Sequence, residues 1–287
     1  MAHRSAGGLS EVDRMPQTFT IEELMTVAIA RELCDDDVAF IGLGTGGRAF
    51  VLAVGVPTAA CQLARATHAP NLSLMLGPII NPDPAKQPTT YTDRALVEWP
   101  SESQVRVEEC LDCFKLGKIT VSFVSGSQVD RFGNLNVVAI GDYAKPKVRL
   151  VGPIAQTDHL AAPARNFIVN DLAPRTFVDR VDFISGAGYL GGPGEREAVG
   201  LPPQGPWRVI TQKAMFEFDD KTKQMATRAL YPGVTAGEVA ELMSFEPLRL
   251  AEAAEIEPPT DDELEVLRRE IDPRGLLLEG KIDEDGS

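Results

Sequence analysis

The sequence is poor in the residues from which most metal and redox centres are built. Its 287 residues include only three histidines and four cysteines. Cys110 and Cys113 have the spacing of a redox motif, but a structural zinc needs two further ligands, and His68 and His159 are isolated along the chain. Four cysteines are also too few for a disulfide scaffold. We therefore expect no metal site and interpret the cysteine pair as small apolar residues of a helix.

Basic runs and long apolar runs are also missing. The formal net charge is −14, from 42 acidic and 28 basic residues, so the surface repels nucleic acid and anionic membranes. Polar residues and glycines interrupt the most apolar stretch, 38–63, and residues 1–17 lack the apolar core of a signal peptide. We expect a cytoplasmic protein with no nucleic-acid partner and no membrane partner. An anionic ligand would have to be held locally, by backbone N–H groups or single arginines.

The order of strand and helix patterns indicates an α/β fold. Apolar segments that read as buried strands alternate with helical patterns in the first half, and a strand-rich section follows. This order predicts a three-layer α/β/α domain over 18–278, with a mainly parallel sheet, helices on both faces and a β hairpin at one edge. Residues 1–17 and the acidic tail 279–287 are predicted to be disordered. The predicted elements are helices at 20–34, 57–66 and 102–116 and after 235 and 260, and strands at 38–41, 72–76, 119–124, 135–140, 167–169, 181–184, 208–211, 214–218 and 224–229.

A glycine-rich loop follows the first predicted strand. Gly42, Gly44 and Gly47 satisfy the spacing of a dinucleotide-binding fingerprint. That fingerprint also needs an acid about 20 residues later to bind the ribose, and no Asp or Glu occurs between Asp37 and Asp83. A nucleotide-dependent oxidoreductase is therefore the weakest functional hypothesis. The loop reads as a tight strand-to-helix turn, or as part of a site for another ligand.

The stretch 121–152 carries the clearest signal of a binding site. Gly126, Ser127 and Gln128 directly follow a buried strand, where small residues let a ligand reach backbone N–H groups that can stabilise an oxyanion. The chain then reverses, with Gly133 or Asn134 free to take a positive φ. Spacing alone favours an ordinary hairpin over a binding site.

A second loop, 186–206, is rich in glycine and proline and contains the charge cluster Glu195-Arg196-Glu197. It reads as a solvated loop, or alternatively as a lid or a subunit contact.

Several short segments, in order along the chain, resemble the β-type subunits of the class I coenzyme A transferases, and glutaconate CoA-transferase in particular. They are Thr-His-Ala-Pro-Asn at 67–71, Gly-Ser-Gln-Val-Asp at 126–130, Phe-Gly-Asn at 132–134, Ile-Gly-Asp-Tyr at 140–143, Lys-Pro-Lys at 145–147, Gly-Pro-Gly at 192–194, Glu-Arg-Glu at 195–197, Gly-Leu-Pro at 200–202, Phe-Asp-Asp-Lys-Thr-Lys-Gln-Met at 218–225, Tyr-Pro-Gly at 231–233 and Ile-Asp-Pro at 271–273. Other segments, at 129–131, 185–189 and 260–264, are similar to a branch of CoA-thioester hydrolases that open steroid rings. A further branch decarboxylates methylglutaconyl-CoA.

The resemblance implies a partner, a substrate and a mechanism. Members of this family have a three-layer α/β fold and work as α/β heterodimers or heterotetramers, with coenzyme A as a substrate and no permanently bound cofactor. In true transferases a Glu attacks the acyl-CoA carbonyl and becomes a glutamyl-CoA thioester, while nearby backbone amides hold the thioester oxygen and the pantetheine arm. The implied substrate- and CoA-binding residues of this chain are Gly126, Ser127, Gln128, Arg131 and Asn134.

This sequence departs from the family at the nucleophile. Counting from Ala69-Pro70-Asn71, the position of the Glu is occupied by Gly77, and the resemblance implies an insertion of about ten residues around 42–52. The hydrolase and decarboxylase branches also lack that Glu, so the catalytic residue is unknown. Either the partner or another acid supplies a carboxylate, or the reaction has changed. The candidate acids of this chain are Glu98, Glu102, Glu108 and Glu109.

Two functional hypotheses remain. The first is a β-type subunit of an enzyme that acts on acyl-CoA: a CoA-transferase by family, and by chemistry one that catalyses hydrolysis, C–C cleavage or decarboxylation of a dicarboxylic acyl-CoA. Arg48, Arg131 and Arg149 are then the candidate cations for the acid group. The second is a non-catalytic scaffolding subunit whose α-type partner carries out all the chemistry.

Overall fold

A computed structural model describes residues 19–42, 46–90, 93–162 and 164–281. The strands in these residues are β1 Val38–Ile41, β2 Ser73–Leu76, β3 Ile79–Pro82, β4 Ser101–Gln104, β5 Val121–Val124, β6 Gln128–Val129, β7 Leu135–Asn136, β8 Ala139–Ile140, β9 Val148–Arg149, β10 Arg165–Val169, β11 Pro206–Ile210, β12 Ala214–Phe218, β13 Met225–Leu230 and β14 Ala254–Glu255. The α-helices are α1 Ile21–Ala30, α2 Gly47–Phe50, α3 Val56–Thr67, α4 Asp93–Glu98, α5 Val107–Lys115, α6 Gln156–Ala161, α7 Glu195–Ala198, α8 Ala236–Ala240 and α9 Asp261–Val266.

Ten strands form one sheet, in the order β14-β13-β12-β11-β10-β5-β1-β2-β3-β4. Its centre, from β11 to β2, is parallel, and antiparallel pairs flank it on both sides. The predicted hairpin is the antiparallel pair β12–β13, although the two-residue strand β14 lies beyond it. Two small sheets, β6–β7 and β8–β9, stand apart from the large one.

Helices cover both faces of the parallel strands, as predicted. Successive side chains of a strand point to opposite faces. Ala39 and Ile41 of β1 belong to the apolar core shared with α1 and α3, whereas Phe40 packs with α5 and α6. The rings of Phe40 and Phe114 are 5.0 Å apart at their centroids. The result is a three-layer α/β/α domain.

The helix after the glycine-rich loop is longer than predicted. Instead of beginning near Pro57, it runs from Gly47 to Thr67 as α2, a π-helical turn at Val51–Gly55, and α3. At Gly55 an added Cβ would lie 2.0 Å from the carbonyl oxygen of Leu277, so glycine permits the C-terminal segment to cross there. This helix is long and apolar enough to span a membrane, but most of its residues are buried within the domain, as in a core helix.

Three predicted elements are wrong in detail. The predicted helix 102–116 begins only at Val107, because residues 101–104 form β4, a polar edge strand without apolar alternation. The predicted strand 135–140 is divided into β7 and β8. The predicted strand 181–184 is a loop, because Asp182 bonds to the side chain of Gln128 instead of to a neighbouring strand.

The predicted disordered segment 1–17 lies outside the described residues, as do Gly44 and most of the predicted acidic tail. The tail residues that the structure describes include Glu279 and Lys281, whose side chains form an ion pair at 2.6 Å. The domain limits therefore stay predictions.

Candidate active site

The parallel strands end at one edge of the sheet, and small or polar residues follow each of them. Gly42 follows β1, Gly77 follows β2, Ser125 follows β5 and Asn170 follows β10. Strand β1 has β2 on one side and β5 on the other, so the chain order reverses at this point of the sheet. In open α/β sheets, ligands bind in the crevice beyond such a reversal. We call these strand ends the carboxyl edge.

Gly77 occupies a tight turn at this edge. Strands β2 and β3 are antiparallel, and Gly77 and Pro78 alone connect the paired residues Leu76 and Ile79. The φ of Gly77 is +52°, and proline fixes its own φ near −65°, which is the pattern of a type II′ turn with glycine first. The N–H of Gly77 donates to the carbonyl of Ile41 at 2.9 Å. The first position of this turn therefore has a left-handed backbone conformation, in which glycine is favoured.

Helix α5 begins beside this turn. The thiol of Cys110, in the first turns of α5, donates to the Gly77 carbonyl at 3.4 Å, and the N–H of Val105 donates to the Pro78 carbonyl at 2.8 Å. Glu108 and Glu109 thus belong to a helix end that contacts the Gly77 turn. The carboxylate of Glu109 accepts from the backbone N–H of Arg106 at 2.7 Å and so caps the helix.

The other two candidate acids lie elsewhere and have partners. Glu98 pairs with Arg94 on the surface of α4 at 2.9 Å. Glu102 accepts from Asn81 at 2.7 Å and from Arg65 at 3.2 Å, and the hydrogen bond from Asn81 is the main reason that the pKa of Glu102 is lowered. Glu102 lies towards the opposite end of β2, because Asn81 bonds to the N–H of Leu74.

Two residues that the sequence did not point to hold the end of β5 in place. The side-chain oxygen of Asn170 accepts from the Ser125 hydroxyl and, at 3.3 Å, from the Gly126 N–H, while its amide donates to the Gly126 carbonyl at 2.9 Å. Gln156 donates to the Ser125 carbonyl at 2.6 Å. The hydrogen bond from the Gly126 N–H to Asn170 is long, so the backbone N–H of Gly126 is available to a ligand oxygen. The only sequence signal was a polar residue, Asn170, directly after an apolar strand.

Gln128, a predicted binding residue, is buried and bonded within the chain. Its amide nitrogen donates to the Asp182 carboxylate at 3.0 Å, and its oxygen accepts from Asn136 at 2.7 Å and from the Asp182 N–H at 3.0 Å. The adjacent Ser127 is exposed. Gln128 therefore fixes the loop, and Ser127 is the side chain of this motif that faces solvent.

Asn134 is likewise buried. Its amide donates to the Asp130 carboxylate and to the Leu190 carbonyl, and its oxygen accepts from the N–H of Gly188 at 2.9 Å. Burial raises the pKa of Asp130 in spite of these hydrogen bonds. Gly133 takes the positive φ expected in this reversal, +70°. The reversal joins the motif to the glycine- and proline-rich loop.

That loop is held by a buried cation. Arg196, in the middle of the loop, is only 1% exposed, and its guanidinium donates to the carbonyls of Leu160, Ala187, Gly188 and Pro202 at 2.6 to 2.8 Å. None of the described carboxylates forms an ion pair with it, and burial lowers its pKa. The reading of this region as a simple solvated loop is therefore wrong at Arg196.

Two of the three candidate cations are already neutralised. Arg48 binds the Asp171 carboxylate through two nitrogens, at 2.7 and 2.9 Å, and Glu22 at 2.6 Å, and these bonds raise its pKa. Arg131 pairs with Asp179. Arg149 has no carboxylate partner among the described residues. It donates to the Tyr143 carbonyl at 3.2 Å and lies over the Tyr143 ring.

His159 and the cysteines form no cluster suited to a metal. Within the described ranges, no group of three or more His, Cys, Asp or Glu side chains is placed to hold an ion. The four cysteines are free, and burial raises the pKa of Cys110. His159 is buried between Phe40 and Phe114, with ring centroids 4.9 and 4.7 Å away.

Comparison with known proteins supports a family assignment. Residues 22–242 match the family model described as coenzyme A transferase. The B subunit of the 3-oxoadipate CoA-transferase of Pseudomonas knackmussii is 35% identical over 253 residues, which cover 87% of this chain and 92% of that protein. The crystal structure of glutaconate coenzyme A-transferase from Acidaminococcus fermentans superposes with a TM-score of 0.78 at 26% identity, covering 91% of this chain and 98% of that chain.

A hydrolase is also similar over nearly its whole length. The cholesterol ring-cleaving hydrolase IpdB subunit of Rhodococcus jostii is 28% identical over 265 residues, covering 89% of this chain and 97% of that protein. The crystal structure of Rhodococcus jostii IpdAB has a TM-score of 0.74 at 25% identity and covers 93% of this chain and 100% of that chain.

Proposed function

Because this chain belongs to the coenzyme A transferase family as a β-type subunit, we propose that it forms, with an α-type subunit, an enzyme that acts on acyl-CoA thioesters. Coenzyme A enters as part of the substrate. Two of the relatives are B subunits of CoA-transferases, and the IpdAB crystal structure contains an α-type partner. A cytoplasmic location and the absence of a permanent cofactor stay predictions of the sequence.

The Gly77 turn carries the proposal about chemistry. A carboxylate nucleophile needs a side chain, and this turn needs a left-handed residue in its first position, where glycine is favoured. This chain therefore offers no glutamyl-CoA intermediate at the family position. We infer that the reaction is hydrolysis, C–C cleavage or decarboxylation, and not ping-pong transfer through this residue.

The surroundings of Ser125 supply the means of polarising a thioester. The Gly126 N–H points from the end of β5 and is bonded only weakly, at 3.3 Å, to Asn170. An oxyanion placed there would gain a preorganised backbone donor. Among the three candidate cations, Arg149 is the one without a carboxylate partner in the described residues, so it is the one available to an anionic group of the substrate.

The α-type partner has a candidate docking surface next to this site. Val151 and Ile154 are exposed, at 92% and 86%. Ile154 has a φ of +45°, which is unusual for a β-branched residue and indicates a constrained segment. Burial of these side chains against a partner would remove apolar surface from water.

The proposal is tested by mass spectrometry of the α/β complex after incubation with an acyl-CoA and borohydride. Borohydride reduces a glutamyl-CoA thioester to an alcohol, which makes the Glu residue lighter by about 14 Da, by loss of one oxygen and gain of two hydrogens. We expect acyl-CoA to be consumed with no such residue in this chain. A reduced Glu108 or Glu109 would refute the proposed change of reaction, and a complex that neither binds nor consumes acyl-CoA would refute the function itself.

One observation favours the scaffolding alternative: Gln128 and Asn134 are buried and fully engaged within the chain. Substitution of these residues would disturb folding, so the exposed Ser127 is the better probe. Ser127→Arg places a bulky cation at the carboxyl edge without removing any bond that the structure shows for the side chain. Loss of CoA affinity with the complex intact supports a shared site, whereas unchanged affinity and turnover support scaffolding. Lys221→Arg, on the distant β12–β13 turn, is the control.

A further inference from the structure

The β8–β9 hairpin is unusually basic for a chain with a net charge of −14. Lys145, Lys147 and Arg149 lie within five residues, and all three are exposed. No carboxylate in the described part of the chain forms an ion pair with any of them. By contrast, carboxylates form ion pairs with Arg48, Arg208, Arg228 and Arg268. The one acid of the hairpin, Asp142, accepts from the backbone N–H groups of Ala144 and Lys145 at its tip.

The base of this hairpin is attached to the end of β5 by continuous hydrogen bonds. The N–H of Gly152 donates to the Val137 carbonyl at 2.9 Å, and the Val137 N–H donates to the Ser185 hydroxyl at 3.1 Å. Ser185 donates to Gln156 at 2.9 Å, and Gln156 donates to the Ser125 carbonyl at 2.6 Å. The base of the hairpin is therefore connected to the candidate site through the side chains of Ser185 and Gln156.

The cations are displaced from that base along the hairpin. Arg149 pairs with Ala139, two residues beyond Val137, and Lys147 closes the tip through its N–H to the Ile140 carbonyl at 2.8 Å. At roughly 3.3 Å per strand residue, Arg149 stands about 7 Å from the base and Lys147 further out. The positive charge of the hairpin therefore lies away from the end of β5.

A second attachment fixes the direction of the hairpin. The Asp182 carboxylate accepts from the Gly141 N–H at 2.9 Å and from the Gln128 amide at 3.0 Å. The Tyr143 ring stacks on Phe183 with centroids 5.0 Å apart, and the guanidinium carbon of Arg149 lies 5.0 Å from the Tyr143 centroid. Arg149 is thereby oriented, and a planar guanidinium so held suits a phosphate.

We infer that the β8–β9 hairpin binds the phosphate groups of coenzyme A while its thioester lies at the carboxyl edge. The inference rests on the proposed function. A CoA thioester carries its reactive carbonyl at one end of the pantetheine arm and its phosphates at the other, so it needs two sites separated along one surface. In an acidic protein, cations that lack internal partners are the side chains available to a polyphosphate. The hairpin meets both requirements.

The test compares coenzyme A with pantetheine, which lacks the phosphates, by calorimetry on the α/β complex. In the wild type, coenzyme A binds more tightly than pantetheine. The double substitution Lys145→Gln and Lys147→Gln weakens coenzyme A binding roughly tenfold, as expected for lost charge-assisted contacts, and leaves pantetheine binding unchanged. Higher salt reduces the difference between the wild type and the variant. The control, Lys221→Gln, removes another exposed lysine, from the β12–β13 turn, and changes neither affinity.

Three results would overturn the inference. Unchanged coenzyme A affinity in the double variant would show that the lysines do not contact phosphate. Equal weakening of both ligands would place the effect at the carboxyl edge, and dissociation of the complex on size-exclusion chromatography would make the hairpin a partner contact. A wild-type complex that binds neither ligand would instead refute the proposed function, so the two failures are distinguishable.

Discussion

His159 makes the stability of this chain depend on pH in a way that can be calculated. Its imidazole is buried against Phe40 and Phe114, and Nδ1 has no hydrogen-bond partner among the described residues. Burial disfavours the charged form and lowers the pKa of His159 to about 4. In the unfolded chain the same ring titrates near its ordinary value of 6.5.

The sign follows from proton binding. Between pH 4 and pH 6.5 the unfolded chain binds a proton at His159 and the folded chain does not, so stability falls as the pH falls through this range. The contribution is almost nothing near pH 7.5 and a loss of about 2 kcal/mol near pH 5. His159→Phe keeps an aromatic ring in the cluster and removes both the titration and the unpaired nitrogen.

We expect urea unfolding to show this difference directly. From about pH 7.5 to about pH 5, the wild type should lose about 2 kcal/mol more of its free energy of unfolding than His159→Phe. Leu160→Met is the matched control, because Leu160 is a buried residue of the same helix α6 that carries no titratable group, so this variant should keep the pH dependence of the wild type. Parallel pH profiles for the wild type and His159→Phe would refute the claim that this ring is buried in its neutral form.

Further predictions concern single residues. Gly77→Glu should destabilise the chain by about 1–2 kcal/mol in urea unfolding, because the new side chain is forced onto a left-handed backbone. The variant should also yield no borohydride-reduced side chain at position 77. A reduced residue at this position would contradict the reasoning. Arg196→Met should lower the free energy of unfolding by about 3 kcal/mol or more, since four buried carbonyls lose their donor. Arg94→Met, on the surface, should change the free energy of unfolding little. Equal changes in the melting of the two variants would contradict the structural role of the buried Arg196 guanidinium. Asn170→Ala should reduce acyl-CoA turnover while the far-UV circular dichroism spectrum is retained, because the Gly126 turn loses the side chain that holds it. Full activity would show that the Gly126 turn does not need Asn170.

Local signals in the sequence were reliable where the structure uses local bonds. The helix predicted from residue 20 begins there with a capping box, in which the Glu23 carboxylate accepts from the Thr20 N–H at 2.7 Å and the Thr20 hydroxyl accepts from the Glu23 N–H at 3.2 Å. The apolar run at β1 forms a central buried strand. Both features depend on residues within a few positions of one another, so a pattern in the sequence is sufficient to predict them.

The site was harder to predict because its bonds join distant parts of the chain. The position of Gly126 after a buried strand was visible, but Asn170 and Gln156, which fix that turn, lie 44 and 31 residues from their bonded partners. Gln128 had the composition of a ligand-binding residue, yet its amide is satisfied by Asp182, 54 residues away. Residue type and spacing cannot distinguish an amide that awaits a ligand from one that already has a partner.

The buried guanidinium of Arg196 also determines how the loop around it can open. Its four carbonyl partners come from both sides of the loop and from α6, so no single one can be released while the others still shield the charge from water. Opening in small steps would expose an unsatisfied cation, and the loop should therefore open as one cooperative unit. In hydrogen exchange its amides should be protected together and exchange at a common rate, as in a regular secondary-structure element, although the segment contains little regular structure.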